Sequence, residues 1–325
     1  MQKGWIVLSV GAVLLLTGWA TSIFYSDEPA AFNVIALTQK AVQQDTPVTG
    51  AVLTNTLLHV TETLIYKPGG LLSNDVLPPF SLMDDMPAWE IGALEMVRDL
   101  ALVMRTDFSR SQSQSVENPL LQQAHPKLNI DHRNWTLPAA EDEYRVAADL
   151  LRRYRNDLAK SDKPHNQFYA RADNLREWLK LAEKRLGSYS QRLSASVVSE
   201  RMNTDLAGET SARQSTEAPL LLHNKTSWWR IDDEFYEARG ACWALLHFLK
   251  AAEYDFRNVL QDKNALISLQ QIIKELEATQ QTVWSPVLLN GSGFGLVANH
   301  SLVMANYISR ANAALIDLTE LLSQG

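Results

Sequence analysis

The residues best suited to chemistry stand in one loop, Lys67 to Glu90, which carries Asn74, Asp75, Asp84, Asp85 and Glu90 among Pro78, Pro79 and Pro87. Paired carboxylates do acid–base work when their surroundings split their pKa values, as in glycoside hydrolysis. A proline-stiffened loop is a place from which such side chains are presented. A local reading stands beside it: Asn74-Asp75 makes a turn, and Asp84 and Asp85 cap the helix entered at Pro87. A second polar constellation runs from Asn290 through Gly291 and Gly293 to Gly295, followed by Asn299-His300-Ser301. Backbone amides of a glycine-rich turn at a helix start can hold a phosphate or a carboxylate. No strand precedes this turn and no Gly-Lys-Ser/Thr follows it, so a flexible interhelical turn is the simpler account. Both segments are irregular and polar beside apolar helices, and buried backbone polar groups must be paired. The sequence therefore predicts that they pack together, with Asn74, Asp85 or Glu90 within reach of Asn299 or His300.

Elsewhere the residue types occur without the spacing. The seven histidines show no zinc pattern and no H-E-x-x-H, and Asp131-His132 is a single local pair. The serines of 109–115 lack a G-x-S-x-G elbow and an S-x-x-K pair. No cofactor and no metal is implied. Trp228-Trp229 either staples onto the helix that follows or presents an aromatic pair to a sugar ring or a partner. The chain is acidic, with a formal charge of −7, which disfavours nucleic-acid binding and electrostatic adhesion to anionic lipid. Its one cysteine, Cys242, falls on an apolar helical stripe and reads as a small core residue.

These groups must be positioned by helices. Apolar residues recur at helical spacing through Phe168–Leu193, Ile231–Val259, Leu266–Val283 and Val297–Leu322, and more briefly through Ala147–Leu158. The segment before Leu158 and the one after Pro164 are predicted to form an αα-hairpin, with Pro164 in the first turn of the second helix. Residues 30–44 and 51–66 read as helices split at Asp45-Thr-Pro47, and Lys67-Pro-Gly-Gly70 stops the second. A helix from Pro87 to about Met104 follows. Thr106 to Ala140 reads as an ordered loop in which Leu128, Ile130, Trp135 and Leu137 pack, and 203–218 as disorder. The fold class is all-α: a bundle over 141–325 with a flexible segment at 203–227, preceded by a helical region with long polar loops over 27–140.

Residues 4–25 contain no charge. As a helix they would reach about 33 Å, enough for the hydrocarbon core of a bilayer. Lys3 on one side and Asp27 and Glu28 on the other place residues 1–3 in the cytoplasm and the rest outside the inner membrane. The apolar stretch exceeds the h-region of a cleaved signal peptide, so a retained anchor is expected. Gly11, Gly18 and Ser22 share one face of this helix, a pattern that permits homo-oligomers.

Four segments carry a resemblance: Lys67-Pro-Gly-Gly-Leu-Leu-Ser-Asn-Asp-Val76, Met86-Pro-Ala-Trp-Glu90, Phe108-Ser-Arg-Ser-Gln-Ser-Gln-Ser115 and Leu289 to Ser301. Together they resemble a family of proteobacterial envelope proteins known only as a domain of unknown function. The resemblance implies a Gram-negative inner-membrane protein facing the periplasm, and it supplies no activity or catalytic residue. The expected function is a membrane-tethered periplasmic scaffold or adaptor that docks another envelope protein. The alternative is an enzyme or binding protein acting on an envelope glycan or lipid intermediate through 67–90 and 290–301.

Overall fold

The computed structural model describes residues 25–77, 83–111, 116–160, 167–197, 199–202, 221–285, 287–292 and 295–324. It is helical throughout apart from one short ribbon. The helices are α1 (Val34–Val42), α2 (Ala51–Tyr66), α3 (Asp85–Val103), α4 (Pro119–Leu128), α5 (Ala140–Leu158), α6 (Ala172–Ser194), α7 (Ile231–Asp255), α8 (Arg257–Asp262), α9 (Leu266–Thr279) and α10 (His300–Ser323). The ribbon pairs β1 (Ser199–Met202) antiparallel with β2 (Leu221–Asn224). Among the described residues no helix is long and apolar enough to cross a membrane. The predicted anchor, Tyr25 excepted, lies outside the described residues, as does 203–220.

Helix α7 is the axis of the bundle. Every residue from Ala238 to Leu249 is buried, as expected for a helix that is apolar on all sides. Helix α3 runs alongside it in the same direction, Trp89 against Trp243 near one end and Phe108 against Phe256 at the other. Their backbones touch. A Cβ on Gly92 would come within 1.8 Å of the Glu237 carbonyl oxygen, and one on Gly240 within 2.0 Å of that of Trp89. Glycine alone permits this approach. Beyond Val103 the helix widens into a π turn, Met104–Phe108, which delivers Phe108 to a cluster with Phe168, Trp178 and Phe256.

The other helices complete the shell. Helix α2 packs on α5 and α7, α4 on α5, α6 on α10 and α9 on α10. Four threonines of α2 return their hydroxyls to carbonyls one turn back, which lets a threonine-rich helix lie in the interior. Apolar residues from Val34 to Leu322 form one contiguous core, so the region before residue 141 and the later helices share it.

Seven helix ends gather at one end of the bundle: the C-terminal ends of α2, α6 and α9 and the N-terminal ends of α3, α5, α7 and α10. Leu71 N–H donates to Glu141 at 3.1 Å and joins the α2 exit to α5. Leu193, Ile231 and Ser301 border one crevice, which joins α6, α7 and α10. The chain enters at this end. Tyr25 lies against Gly69, and Glu28 is paired with Arg239 at 2.6 Å.

Several expectations change. No αα-hairpin forms: α5 packs along α2 and α4, whereas α6 packs along α10. Residues 167–171 are not helical, and Tyr169 N–H donates to the Phe108 carbonyl at 2.7 Å, so α6 begins at Ala172 and not near Pro164. The 106–140 stretch contains a helix, α4, capped by Asn118 ahead of Pro119. Leu128 is buried there and Ile130 packs on the core, but Trp135 and Leu137 stand in solvent. The segment read as flexible up to 227 ends in order: β2 pairs with β1, and Thr226 N–H donates to the Ala195 carbonyl at 2.8 Å.

Candidate functional site

All the described candidate residues lie at the entry end, in three separate arrangements. The first is built on Glu90. Its carboxylate, almost wholly buried, meets Lys67 Nζ at 2.6 Å and accepts the N–H groups of Leu72 and Ser73 at 2.8 Å each. Gly69 and Gly70 take positive φ to turn the chain over it. Burial raises the Glu90 pKa, and Lys67 and the two amides oppose that shift. Every partner belongs to the turn, so Glu90 is committed to holding residues 67–74 in place. Asn74 ends the 3₁₀ turn Leu72–Asn74, and Asp75 follows with a pKa raised by burial and by Glu141.

The second arrangement is an acidic cluster where α3 and α7 begin side by side. Asp84 caps α3, accepting from Asp85 N–H at 3.2 Å. Burial and the charges of Asp84, Asp232, Asp233 and Glu28 push the Asp85 carboxyl up to about 7. Asp233 is raised by burial and by Asp84, Asp232 and Glu234, and burial beside Asp85 lifts the Tyr236 phenol to about 12. Two helix N-termini supply the positive dipole ends that hold this much negative charge together. Perturbed carboxylates of this kind also mark functional sites.

The third arrangement is the turn before α10. Asn290 and Asn299 form a bridge, Asn299 caps α10 through Leu302 N–H at 2.8 Å, and its Nδ2 donates to the Gly291 carbonyl at 2.7 Å. Ser301 donates to Asn290 Oδ1 at 2.7 Å, and Leu289 N–H reaches His300 Nδ1 at 3.2 Å. Gly291 is tight against the Val297 carbonyl. Gly293 lies outside the described residues. The turn thus satisfies its own polar groups. Among the described residues no hydrogen bond or ion pair joins 67–90 to 290–301.

A cleft of about 290 Å³ opens beside this turn, lined among others by Arg239, Thr279, Trp284, His300, Met304 and Tyr307. Arg239 forms part of its floor and is engaged at every nitrogen. Its Nε faces Glu28, and its remaining nitrogens donate to the carbonyls of Thr279, Gln280 and Gln281 at 2.8–3.3 Å. A cation here completes the C-terminus of α9. Glu28 and Arg239 therefore stand between Asp85 and His300.

Sequence reasoning missed Glu28, Arg239 and Trp284. A lone arginine inside the apolar run of α7 was the available sign. Among the described side chains the other histidines are structural or peripheral. His247 is stacked on Phe32 and accepts its N–H at 3.1 Å, and burial lowers its pKa to about 4. His125 neighbours Arg105 and Asn129, while His132 stands 3.6 Å from Asp131 and near Arg98, Arg133 and Glu95. Among the described residues no group of three potential metal ligands occurs. Cys242 is fully buried, with its thiol pushed up to about 12. Trp228 and Trp229 are exposed and stacked edge to face at 4.9 Å, so they do not staple α7.

No curated protein and no solved structure matches this chain. A family model described as an uncharacterized protein conserved in bacteria matches residues 1–325, and the chain belongs to that family, DUF2333.

Proposed function

We propose that the protein is a membrane-tethered helical scaffold or adaptor of the cell envelope. Residues 4–25 form its single-pass anchor, residues 1–3 are cytoplasmic, and the bundle sits in the periplasm, where it docks another envelope protein. One observation carries the reading: Glu90, Arg239 and Asn299, three polar side chains of this end, are engaged as internal ties. Glu90 holds a turn, Arg239 completes a helix end and Asn299 caps one. The two polar segments share an end of the bundle without sharing a pocket.

The second reading, a binding protein or enzyme acting on an envelope glycan or lipid intermediate, draws support from the cleft at His300 and from the raised Asp85 carboxyl. The volume is at the small end for a ligand site. Asp85→Asn and His300→Ala separate the two. In a deletion strain a scaffold tolerates both variants. Loss of in-cell function by either one, at an unchanged thermal melt, transfers the assignment to the second reading.

A further inference from the structure

Exposed apolar side chains are concentrated at the entry end. Among the described residues the exposed tryptophans are Trp135 (60%), Trp228 (72%), Trp229 (78%) and Trp284 (92%), and all four belong to connections at this end. Leu77, Leu137 and Leu296 are exposed there as well. The opposite end offers Val48, Val116 and Ile267, none of them aromatic. Single exposed apolar residues are ordinary, but one face that gathers several from four separate loops marks an interaction surface.

The tether identifies what that face meets. Tyr25 is the last residue of the predicted anchor and already touches Gly69. Glu28 is fixed on Arg239, and Phe32 on His247. Tyr25 and Glu28 are three positions apart, a reach of about 10 Å at full extension. No slack linker exists to lift the bundle away, so this face is held within about a headgroup layer of the membrane that residues 4–25 cross. Tryptophan is the side chain enriched in that layer, with its ring in apolar surroundings and its N–H in water.

We propose that the entry end is a second membrane contact, in which Trp135, Trp228, Trp229 and Trp284, together with Leu296, lie in the headgroup region. The inference rests on the anchor reading for its geometry. The carboxylates of Asp84, Asp232 and Asp233 lie at the same end as the exposed Arg230, so the contact is carried by apolar and aromatic side chains and not by a net positive charge.

Nitroxide labels on the full chain in phosphatidylcholine nanodiscs test this, with single cysteines Trp229→Cys, Trp284→Cys and Leu296→Cys, Ile267→Cys as the distal control and Leu15→Cys reporting the anchor. Cys242 is buried and stays unlabelled. The proposal expects oxygen to relax the labels at 229, 284 and 296 more than a water-soluble nickel chelate does, with the reverse at 267. Aqueous signals at all three sites overturn it. So does shielding from both reagents, which would mean that a protein surface covers the face. A label at Leu15 that reads as aqueous refutes the anchor alone, because the other labels still decide whether the face meets lipid.

Discussion

Glu28 and Arg239, 211 positions apart, are joined at 2.6 Å, and this pair fixes the segment ahead of α1 to the central helix. Arg239 is also the only link described between α7 and the three carbonyls that end α9. Arg239→Ala leaves Glu28 and those carbonyls without their donor. The expected loss is about 3–5 kcal/mol, read from urea unfolding. Glu28→Gln keeps the three carbonyl bonds and should cost about 1 kcal/mol.

The crossing of α3 and α7 supplies a steric test. Gly92→Ala and Gly240→Ala each force a methyl into backbone and should destabilise by about 1–3 kcal/mol or more. A Cβ on Gly187, in the middle of α6, would meet Asn312 Nδ2 at a comfortable 3.6 Å. Gly187→Ala should therefore be neutral or stabilise by up to about 1 kcal/mol. Equal melting temperatures for all three variants would contradict the packing described.

Protonation gives opposing pH dependences. Asp85 and Asp255 titrate near 7 in the folded chain against an ordinary 3.8, burial being the first cause for both. The folded state then binds more protons than the unfolded one between about pH 4 and 7, so their contribution is full below 4 and is lost as pH rises through 7. His247, lowered by burial to about 4, does the reverse: its contribution is full above 6.5 and is lost as pH falls through 4. Asp85→Asn should raise the urea midpoint at pH 8 and leave it unchanged at pH 4. An equal gain at both pH values would remove Asp85 as the cause.

Phe32 and His247 make a separate prediction. The rings stack at 4.0 Å and the Phe32 N–H needs a neutral Nε2, while Nδ1 contacts the Trp243 carbonyl at 2.7 Å. His247→Gln retains an acceptor and should flatten the acid side of the stability profile. Hydrogen exchange at residues 31–35 should speed up below pH 4 in the parent and change little in the variant.

Much of the helix inventory was legible because each stripe repeats at helical spacing over several turns, as from Ile231 to Asp255. The partners of those helices were not. Chain order suggested that α5 and α6 pair, but both interfaces were decided by non-local packing, α5 on α2 and α6 on α10. Helix α4 was missed because its ten residues include Pro119 and Pro126 and bury only Leu121, Ala124 and Leu128. At the candidate site, Asp84 as a cap and the 67–70 stop could be read locally. The buried role of Glu90 could not, since it depends on amides 17 and 18 residues upstream.

The proposed function depends on the bundle lying on the outer side of the inner membrane. Ile267 is exposed and distal to the entry end, whereas Cys242 is buried, so Ile267→Cys offers one reactive thiol. Cells with a permeabilised outer membrane and an intact inner membrane are treated with a membrane-impermeant maleimide, and the protein is then recovered from carbonate-washed membranes. The account predicts labelling without lysis and retention in the membrane pellet. Labelling only after lysis would place the bundle in the cytoplasm and contradict the account.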